Sequence, residues 1–492
     1  MDNGAYYCLL ALPLLYFLLK SWKTFFGSHS HGLRLPPGPW QLPVIGSLHH
    51  LRGSLTHRVL RDLSLRHGPL MFLKFGEVPV VVASTPHAAK EFMKTHDAIF
   101  ATRPLSLVTK VIIKDGPGIV WAPYGDHWRQ VRKICMVELL SAKRVQSFRS
   151  AREKEAIRLI QTISSATTPL VNLSKIVAMY VADASVHAIM GRRFKDRDTL
   201  LEYVDEAVRL AGGFTATDLF PSSLLARVLS RAEHKAEAYR QSLFKFMDGV
   251  VRQHQAEDLI DVLLRIKKEG KPQYPLTMSI IQIVLFDLIA GGIETATTTL
   301  QWVMAELMRN PDIMSKAQAE VRRVFMGQMK VTEERLSELS YLQLIIKETL
   351  RLHVPGPLLI PRECQQQCQV LGYDVPKGAM VLVNAWAICR NPDHWDEPDT
   401  FNPERFLGDT RDFKGNDFDF IPFGAGRRIC PGMVFGLANI ELCLANLLFH
   451  FDWSLPEGII HSELDMTETM GITARRKADL LLSATLRIPQ PS

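Results

Sequence analysis

The chain has 492 residues, of which 47% are hydrophobic and 22% are charged, and its 58 Lys and Arg against 51 Asp and Glu give a formal net charge of +7. This is ordinary globular composition, which excludes a disordered chain, a collagen and a multi-span membrane protein. The length suggests about three domains at ~150 residues each and allows a sizeable core. Its basic residues are spread out without interleaved aromatics, so the sequence predicts no nucleic acid partner.

The first predicted element is an apolar segment near the N-terminus. Residues 5–26 are mostly apolar and would form a helix about 33 Å long, enough to span a bilayer about 27 Å thick. A cleaved secretory signal is the alternative, but Asp2 stands where a basic residue is expected and no A-x-A cleavage site follows. Lys20 and Lys23 follow the apolar segment, so the positive-inside rule predicts that the rest of the chain lies in the cytosol. Residues 1–26 are therefore predicted to be one uncleaved membrane anchor.

A proline-rich hinge and one large body follow the anchor. Residues 27–45 are predicted to be the hinge, because Pro36, Pro37 and Pro39 fix φ and remove backbone donors. Residues 46–492 contain no flexible linker and no internal repeat, so we expect them to form a single catalytic domain.

Helical patterns dominate this body and β-rich runs are short. The runs at 70–75 and 78–82 flank a Gly-Glu turn and predict a hairpin, and residues 380–384 are another candidate strand. Shorter helices are predicted over residues 56–67, 86–96, 124–137, 142–163, 200–210 and 433–449. The predicted fold class is therefore mainly α with small β sheets.

The longest helical pattern covers residues 276–308 and ends at Asn310-Pro311, which caps it and starts the next helix. It would be about 50 Å long and is apolar nearly all round, which predicts a buried central helix rather than a second membrane span. Its middle, residues 291–295, carries two glycines that cost about 1 kcal/mol each in a helix interior. Either a neighbouring helix packs closely there, or the helix opens beside a cofactor with Glu294 and Thr295 available for proton delivery.

The seven cysteines are scattered, which argues against a disulfide framework and for a reducing compartment. Cys364 and Cys368 form a C-x3-C pair, but two thiolates without nearby histidines make a poor zinc site. Cys430 differs because it lies in a loop with three glycines and two prolines, just before the helix predicted at 433–449. The dipole and free N–H groups of that helix would keep its thiolate ionised, whereas the alternative is an inert cysteine in a turn.

The pattern Phe423-x-x-Gly426-x-Arg428-x-Cys430-x-Gly432 resembles the haem-thiolate signature of the cytochrome P-450 family at every fixed position. Further segments are similar to family motifs in the same order: Trp128-x-x-x-Arg132, Gly291-Gly292-Ile293-Glu294-Thr295, Glu348-x-x-Arg351 and Pro403-Glu404-Arg405-Phe406. The resemblance covers about residues 35–492, and the hinge and Pro361-Arg362 look like those of plant microsomal members acting on specialised metabolites. It implies the cytochrome P-450 fold behind one N-terminal transmembrane helix.

The resemblance also implies a haem b cofactor with Cys430 as the axial ligand of its iron. Thr295 would hold water near the oxygen site and Glu294 would relay protons. The residues expected to bind the cofactor are Trp128, Arg132, Arg362, Phe423, Arg428 and Gly432. Those expected to form a buried ion-pair triad for folding and haem retention are Glu348, Arg351 and Arg405.

The predicted substrate pocket is largely apolar, which favours a lipophilic substrate such as a terpenoid, phenolic lipid, indole or phenylpropanoid. By resemblance its lining includes Ile113, Gly291, Val354, Leu358 and Met470. Plant members commonly read His-Pro-Pro after the E-x-x-R helix, but this chain reads His353-Val354-Pro355. The substrate of a relative therefore cannot be transferred to this chain from the motifs.

The expected activity is a monooxygenase reaction with O2 and electrons from a separate NADPH-cytochrome P-450 reductase, since the chain has no dinucleotide motif of its own. Candidate residues for docking the reductase are the basic side chains near the cysteine, such as Arg129, Lys133 and Arg427. The expected location is the endoplasmic reticulum membrane, with a single pass and the catalytic domain in the cytosol. Two alternatives are a haem-thiolate isomerase or dehydratase that needs neither O2 nor reductase, and a non-enzymatic membrane-anchored haem-binding scaffold.

Overall fold

The computed structural model describes residues 32–53, 55–168, 170–212, 215–253, 259–270, 274–469 and 471–488. Helices dominate this part of the chain. They are α1 (Thr56–His67), α2 (Pro86–Lys90), α3 (Leu107–Ile112), α4 (Asp126–Ile134), α5 (Ala142–Ser147), α6 (Arg149–Ser164), α7 (Leu173–Met190), α8 (Arg197–Ala211), α9 (Ala216–Leu219), α10 (Leu224–Ser230), α11 (Ala232–Arg252), α12 (Leu259–Glu269), α13 (Met278–Arg309), α14 (Pro311–Val324), α15 (Ser340–Leu352), α16 (Ala385–Ile388) and α17 (Met433–His450).

In the residues that the structure describes, nine short strands form small sheets beside the helices. They are β1 (Leu70–Phe75), β2 (Val78–Ala83), β3 (Val171–Asn172), β4 (Arg362–Glu363), β5 (Cys368–Val370), β6 (Tyr373–Val375), β7 (Met380–Val383), β8 (Phe451–Ser454) and β9 (Leu481–Leu486). The largest described sheet has the order β1-β2-β7-β4, and the others are β3-β9-β8 and the pair β5-β6. The β1–β2 pair is the predicted hairpin, with Leu70 opposite Ala83. The expected class, mainly α with small sheets, is confirmed.

The 32-residue helix α13 crosses the middle of the body. Its first turn is capped by Thr277, whose side chain accepts a hydrogen bond from the Ile280 N–H. By length and composition alone, α7, α13 and α17 could each cross a membrane, but their most apolar stretches are 72%, 56% and 67% buried inside the protein. Their apolar surfaces therefore form the core, and the prediction of a buried central helix is confirmed.

Several predicted helices differ from the observed ones where the backbone changes its winding. The helix predicted at 142–163 is two helices, because Phe148 (φ −90°, ψ 7°) leaves helical geometry between α5 and α6. The ends of α2 and α4 widen into π-helical turns at Glu91–Thr95 and Cys135–Leu139. The sequence analysis also missed α7, which is buried on nearly every side and so has no polar face to mark its period.

The second half of the predicted hinge packs on the body. The Phe72 N–H in β1 donates to the Pro37 carbonyl at 2.9 Å. A Cβ at Gly38 would lie 2.0 Å from the Phe72 carbonyl oxygen, so this close approach requires glycine. The predicted anchor, residues 1–26, and hinge residues 27–31 lie outside the described residues.

Candidate active site

The loop before α17 holds Cys430 in a fixed position. The Cys430 N–H donates to the Phe423 carbonyl at 2.9 Å. Gly426 has φ of +68°, and a Cβ there would lie 2.0 Å from the Met93 carbonyl oxygen and 2.7 Å from Asp97 Oδ2. The loop therefore rests against the π-helical turn after α2, and only glycine allows this contact.

The sulfur lies close to the N-terminal end of α17. Gly432 caps this helix, and a Cβ added to Gly432 would meet no atom within 4 Å. Burial is the largest influence on the Cys430 thiol and raises its pKa above the ordinary value, although a hydrogen bond from the Gly432 N–H and the positive charge of Arg132 act in the opposite direction. The helix end and the cation therefore offset part of the cost of burying the thiolate that metal binding requires.

The structure brings the three predicted haem-binding arginines together around the Cys430 loop. Arg132 donates to the Ile429 carbonyl at 2.6 Å. Arg362 donates to the Ala425 carbonyl at 2.9 Å and also pairs with an aspartate, Asp97 Oδ1, at 2.9 Å. Two of these contacts are made to the backbone of the loop, so the arginines also fix the loop that carries the cysteine.

Arg428 lies inside this cluster, at the ring face of Trp128. Its guanidinium carbon is 4.2 Å from the centroid of the Trp128 ring, and its Nε donates to the Ala101 carbonyl at 2.7 Å. The Trp128 indole N–H donates to the Ile119 carbonyl at 3.1 Å. In this structure Trp128 therefore orients Arg428 by stacking, which is a cation–π contact.

A fourth arginine, Arg103, was missed by the sequence analysis. Its side chain is 6% exposed and donates to the Ile360 carbonyl at 2.6 Å and the Pro361 carbonyl at 2.8 Å. The available signal was a single cation in the otherwise uncharged stretch from Phe100 to Pro104, since arginine is rarely buried without a partner.

The cluster carries more positive charge than its surroundings neutralise. Burial and the nearby charges of Arg362 and Arg132 lower the pKa of Arg428 to about 9, and burial with these three arginines lowers that of Arg103. Within the described ranges, Asp97 is the one carboxylate that pairs with the cluster. Two haem propionates would neutralise the remaining charge by charge-assisted hydrogen bonds. The donor set therefore fits a haem bound at Cys430.

Asp287 in α13 links the arginine cluster to the central helix, and the sequence analysis gave it no role at the site. Its Oδ2 accepts hydrogen bonds from the Ile119 N–H at 2.8 Å and the Val120 N–H at 3.1 Å. The carbonyl of Ile119 in turn accepts the indole N–H of Trp128. Burial raises the pKa of Asp287 to about 6, although both N–H groups act in the opposite direction.

The two glycines in the middle of α13 face different surroundings. A Cβ at Gly292 would lie 3.7 Å from the ring of Phe435 in α17, an ordinary van der Waals distance, so Gly292 lies against α17 without a contact that requires glycine. A Cβ at Gly291 would meet no atom within 4 Å, so Gly291 faces open space. Thr295 is exposed on the same helix, and its hydroxyl donates to the Gly291 carbonyl at 2.8 Å. The helix is continuous through both glycines, and an opening beside a cofactor stays a prediction.

Glu294 is held away from Thr295 by a hydrogen-bonded ion pair. Its buried carboxylate accepts from both sides of the Arg475 guanidinium, with Nε at 2.5 Å, and from the Thr473 hydroxyl. Arg475 also pairs with Asp205 of α8 at 2.8 Å. Burial lowers the pKa of Arg475, but the contacts with Glu294 outweigh it and raise that pKa. Glu294 is thus connected to the surface through Arg475, a residue that the sequence analysis did not select.

The predicted triad of Glu348, Arg351 and Arg405 comes together in the interior. Glu348 and Arg351 are fully buried and pair at 2.7 Å. Arg405 reaches the same carboxylate at 3.0 Å. Arg351 also donates to backbone carbonyls, so every nitrogen of its guanidinium group has a hydrogen-bond partner.

The predicted pocket residues do not all line one space. Leu358 lines a cavity of about 300 Å³ together with Asp205, Thr473 and Arg475. Val354 is fully buried in the core, and Ile113 is 8% exposed at the end of α3. Met470 lies outside the described residues.

Comparison with known proteins relates the whole chain to one family. A family model for cytochrome P450 matches residues 36–481. Similar proteins include premnaspirodiene oxygenase of Hyoscyamus muticus, 46% identical over 95% of both chains, and desmethyl-deoxy-podophyllotoxin synthase of Sinopodophyllum hexandrum, 47% identical over 97% of this chain and 96% of the relative. Tabersonine 16-hydroxylase 2 of Catharanthus roseus is 44% identical over 97% and 96%. A zebrafish cytochrome P450 solved with abiraterone has the same fold, with a TM-score of 0.74 over 88% of this chain and 99% of that one at 24% identity.

Proposed function

The chain belongs to the cytochrome P450 family and is a haem-thiolate monooxygenase acting on lipophilic small molecules, and from this premise we propose how its own residues carry out the reaction. Two arrangements support the proposal: the Cys430 loop surrounded by buried arginines, and the exposed Thr295 beside Gly291, which faces open space, on α13. The first can hold haem and the second can deliver protons beside it.

Cys430 is the proposed axial ligand of the haem iron, and haem b is the proposed form of the cofactor. When bound, the haem supplies reductive activation of O2 and transfer of one oxygen atom, chemistry that thiolate ligation favours. Arg132, Arg362 and Arg428 bind the propionates, and Trp128 keeps Arg428 oriented. Phe423 and the glycines of the loop hold the sulfur in place while the arginines neutralise the propionate charge.

Proton delivery is assigned to Thr295 and Glu294. The Thr295 hydroxyl, which now donates to the Gly291 carbonyl, can turn to hold a water molecule in the open space beside that glycine. Glu294 can carry a proton only after it gives up one of its contacts with Arg475. Because Arg475 is 33% exposed and Asp205 is 64% exposed, the proton enters from the solvent at this pair.

The proposed substrate is a lipophilic specialised metabolite with a terpenoid or alkaloid skeleton. Relatives of this chain are named premnaspirodiene oxygenase, 5-epiaristolochene 1,3-dihydroxylase and tabersonine 16-hydroxylase, which supports this class.

The proposed electron donor is NADPH-cytochrome P450 reductase, docking on the face beside Cys430. Arg129 and Arg427 are exposed there, although each is paired with a neighbouring aspartate. Lys133 is exposed nearby, and the side chains of Met136 and Val137 are 40% and 55% exposed. An apolar patch with a cationic border suits an acidic partner that must dock and then leave.

The proposed location is the endoplasmic reticulum membrane, with residues 1–26 as a single-pass anchor, 27–45 as the hinge and 46–492 as the catalytic domain in the cytosol. Helix α10 supports a membrane-facing side, because Leu224, Leu225, Val228 and Leu229 are each about 70% exposed on one helix face. Ser222, just before α10, bonds to Glu77 at the tip of the β1–β2 hairpin, the sheet edge on which the hinge also packs. The anchor and α10 would therefore meet the bilayer on the same side.

The test is turnover of terpenoids and alkaloids by full-length protein co-expressed with a plant reductase in microsomes. We expect a product with one added oxygen that requires NADPH, O2 and reductase. Thr295→Ala should bind substrate as the wild type does but divert most NADPH electrons into hydrogen peroxide. Thr299→Ala, one turn further along α13, should bind substrate and keep the electron use of the wild type. A product formed without NADPH would instead support the isomerase or dehydratase alternative, and no turnover of any substrate would contradict the proposal.

A further inference from the structure

The C-x3-C pair, Cys364 and Cys368, has no part in the proposed reaction, yet the fold brings its two thiols together. Cys364 follows β4 and is fully buried, whereas Cys368 begins β5 and is partly exposed. The thiol of Cys364 lies 3.7 Å from the Val375 carbonyl oxygen, and Cys368 stands directly opposite Val375 in the β5–β6 pair. Both cysteines thus lie next to Val375 in a small sheet.

The two thiols differ in how readily they ionise. The Cys364 thiol donates to the Gln366 carbonyl at 3.0 Å, and its interaction with Cys368 raises the pKa of Cys364 and lowers that of Cys368. By contrast, burial raises the pKa of Cys135 to about 12 and that of Cys389 to about 11. Of this pair, Cys368 is therefore the thiol that solvent reaches and that ionises more readily, and Cys364 is its buried neighbour.

We propose that Cys364 and Cys368 form a reversible dithiol–disulfide site that hydrogen peroxide oxidises. The Cys368 thiolate attacks one peroxide oxygen, the O–O bond breaks, and a sulfenic acid and one water form. The Cys364 sulfur then attacks the sulfenic sulfur, the S–O bond breaks, and a disulfide and a second water form. Two thiols are oxidised by two electrons in total, and one peroxide is reduced to two waters.

The position of the pair connects this chemistry to the candidate active site. Cys364 lies two residues after Arg362, and its backbone is fixed on both sides by hydrogen bonds with Ala379 at 3.0 Å and Gly378 at 2.7 Å. Arg362 reaches the Ala425 carbonyl in the Cys430 loop. Hydrogen peroxide is the product of a monooxygenase that reduces O2 without oxidising its substrate, so the oxidant is generated by the same protein.

The test is peptide mass spectrometry on the full-length protein after exposure to hydrogen peroxide. The protein is treated with graded peroxide and then alkylated with iodoacetamide in denaturant, and trypsin releases residues 363–377 with both cysteines in one peptide. We expect a disulfide to form in this peptide, seen as a mass lower by two hydrogens and as the absence of alkylation on both cysteines. The peroxide concentration needed should be at least tenfold lower than the one that modifies Cys135. Dithiothreitol should restore both alkylation sites.

Variants separate the two roles. In Cys364→Ser, oxidation should stop at a sulfenic acid on Cys368 that dimedone labels; in Cys368→Ser, Cys364 should stay unmodified. Cys443→Ser, a buried cysteine elsewhere, should leave the disulfide unchanged. The proposal is wrong if the wild-type peptide remains fully alkylated, or if Cys368 proceeds to sulfinic acid without a disulfide. The wild-type result alone decides this if a serine variant does not fold, and none of these readouts depends on catalytic turnover.

Discussion

Glu348 is surrounded by two guanidinium groups and no solvent. Its carboxylate binds Arg351 at 2.7 Å and Arg405 at 3.0 Å, and the Asn402 N–H donates to it at 2.9 Å. The attraction between these charges offsets the free-energy cost of removing them from water. The net stabilisation from the intact triad is therefore small. Removal of the single negative charge is different, because it leaves two cations in the interior.

We therefore predict that Glu348→Gln lowers the free energy of unfolding by about 3–5 kcal/mol, the usual cost of stranding a buried charge. Much less haem-loaded protein should be recovered. Urea unfolding and haem content per chain measure both effects. Glu338→Gln is the matched control, because Glu338 pairs with Arg335 at the surface and its loss should have no measurable effect. Equal unfolding midpoints for the two variants would contradict the prediction.

Asp287 gives the protein a specific pH dependence. The folded protein holds the proton of this buried carboxyl up to about pH 6, whereas an unfolded chain releases it near ~3.9. Since the folded state binds the proton more tightly, the stabilising contribution is complete below about pH 4 and is lost as the pH rises towards 6.

We predict that wild-type stability falls by roughly 2 kcal/mol relative to Asp287→Asn between pH 4 and pH 7. The asparagine oxygen can still accept from the Ile119 and Val120 N–H groups, so the loop should stay in place. Urea unfolding of both proteins at one-unit pH intervals gives the difference curve. A difference that does not change with pH would show that Asp287 does not titrate in this range.

At the scale of elements, the Cys430 loop depends on a contact with the π-helical turn Glu91–Thr95. Gly426→Ala would place a Cβ 2.0 Å from the Met93 carbonyl oxygen at a φ of +68°. We predict that this variant loses most of its haem, because the loop must move away from the turn and carries the sulfur with it. Gly458→Ala is the control: it has a similar φ of +83° but nothing within 4 Å, so it isolates the backbone strain. Haem content of the two variants should differ severalfold, and equal losses would mean that strain alone is responsible.

The elements that could be predicted from the sequence are those with a local signal. The Gly-Glu turn gave the β1–β2 hairpin, and Asn310-Pro311 gave the junction of α13 and α14. Helix α7 was missed because a fully buried helix has no amphipathic period, and the break at Phe148 because nothing nearby is a helix breaker. At the site, Cys430 and its arginines were found from a motif. Arg103 and Arg475 were not, because each reaches its partners only through contacts far apart in the chain.

At the scale of the whole molecule, the proposed membrane side can be tested directly. Deletion of residues 1–26 should leave a folded haem protein that still associates weakly with vesicles through α10. Adding Leu225→Glu and Leu229→Glu should remove this residual association, since both side chains are about 70% exposed. Leu65→Glu, an equally exposed leucine in α1, is the control. Vesicle co-sedimentation measures the bound fraction of each protein. If the double variant and the truncated protein without these substitutions bind equally, α10 is not a membrane contact.

The central claim is that Cys430 binds haem iron as a thiolate in the centre of this fold. The most direct measurement is the absorbance difference spectrum of dithionite-reduced protein with and without carbon monoxide, for the wild type and Cys430→Ser. We predict the strongly red-shifted Soret band of thiolate-ligated haem in the wild type and its absence in the variant, with the other six cysteines unchanged. A red-shifted band that survives in Cys430→Ser, or a wild-type band at the position of histidine-ligated haem, would contradict the account.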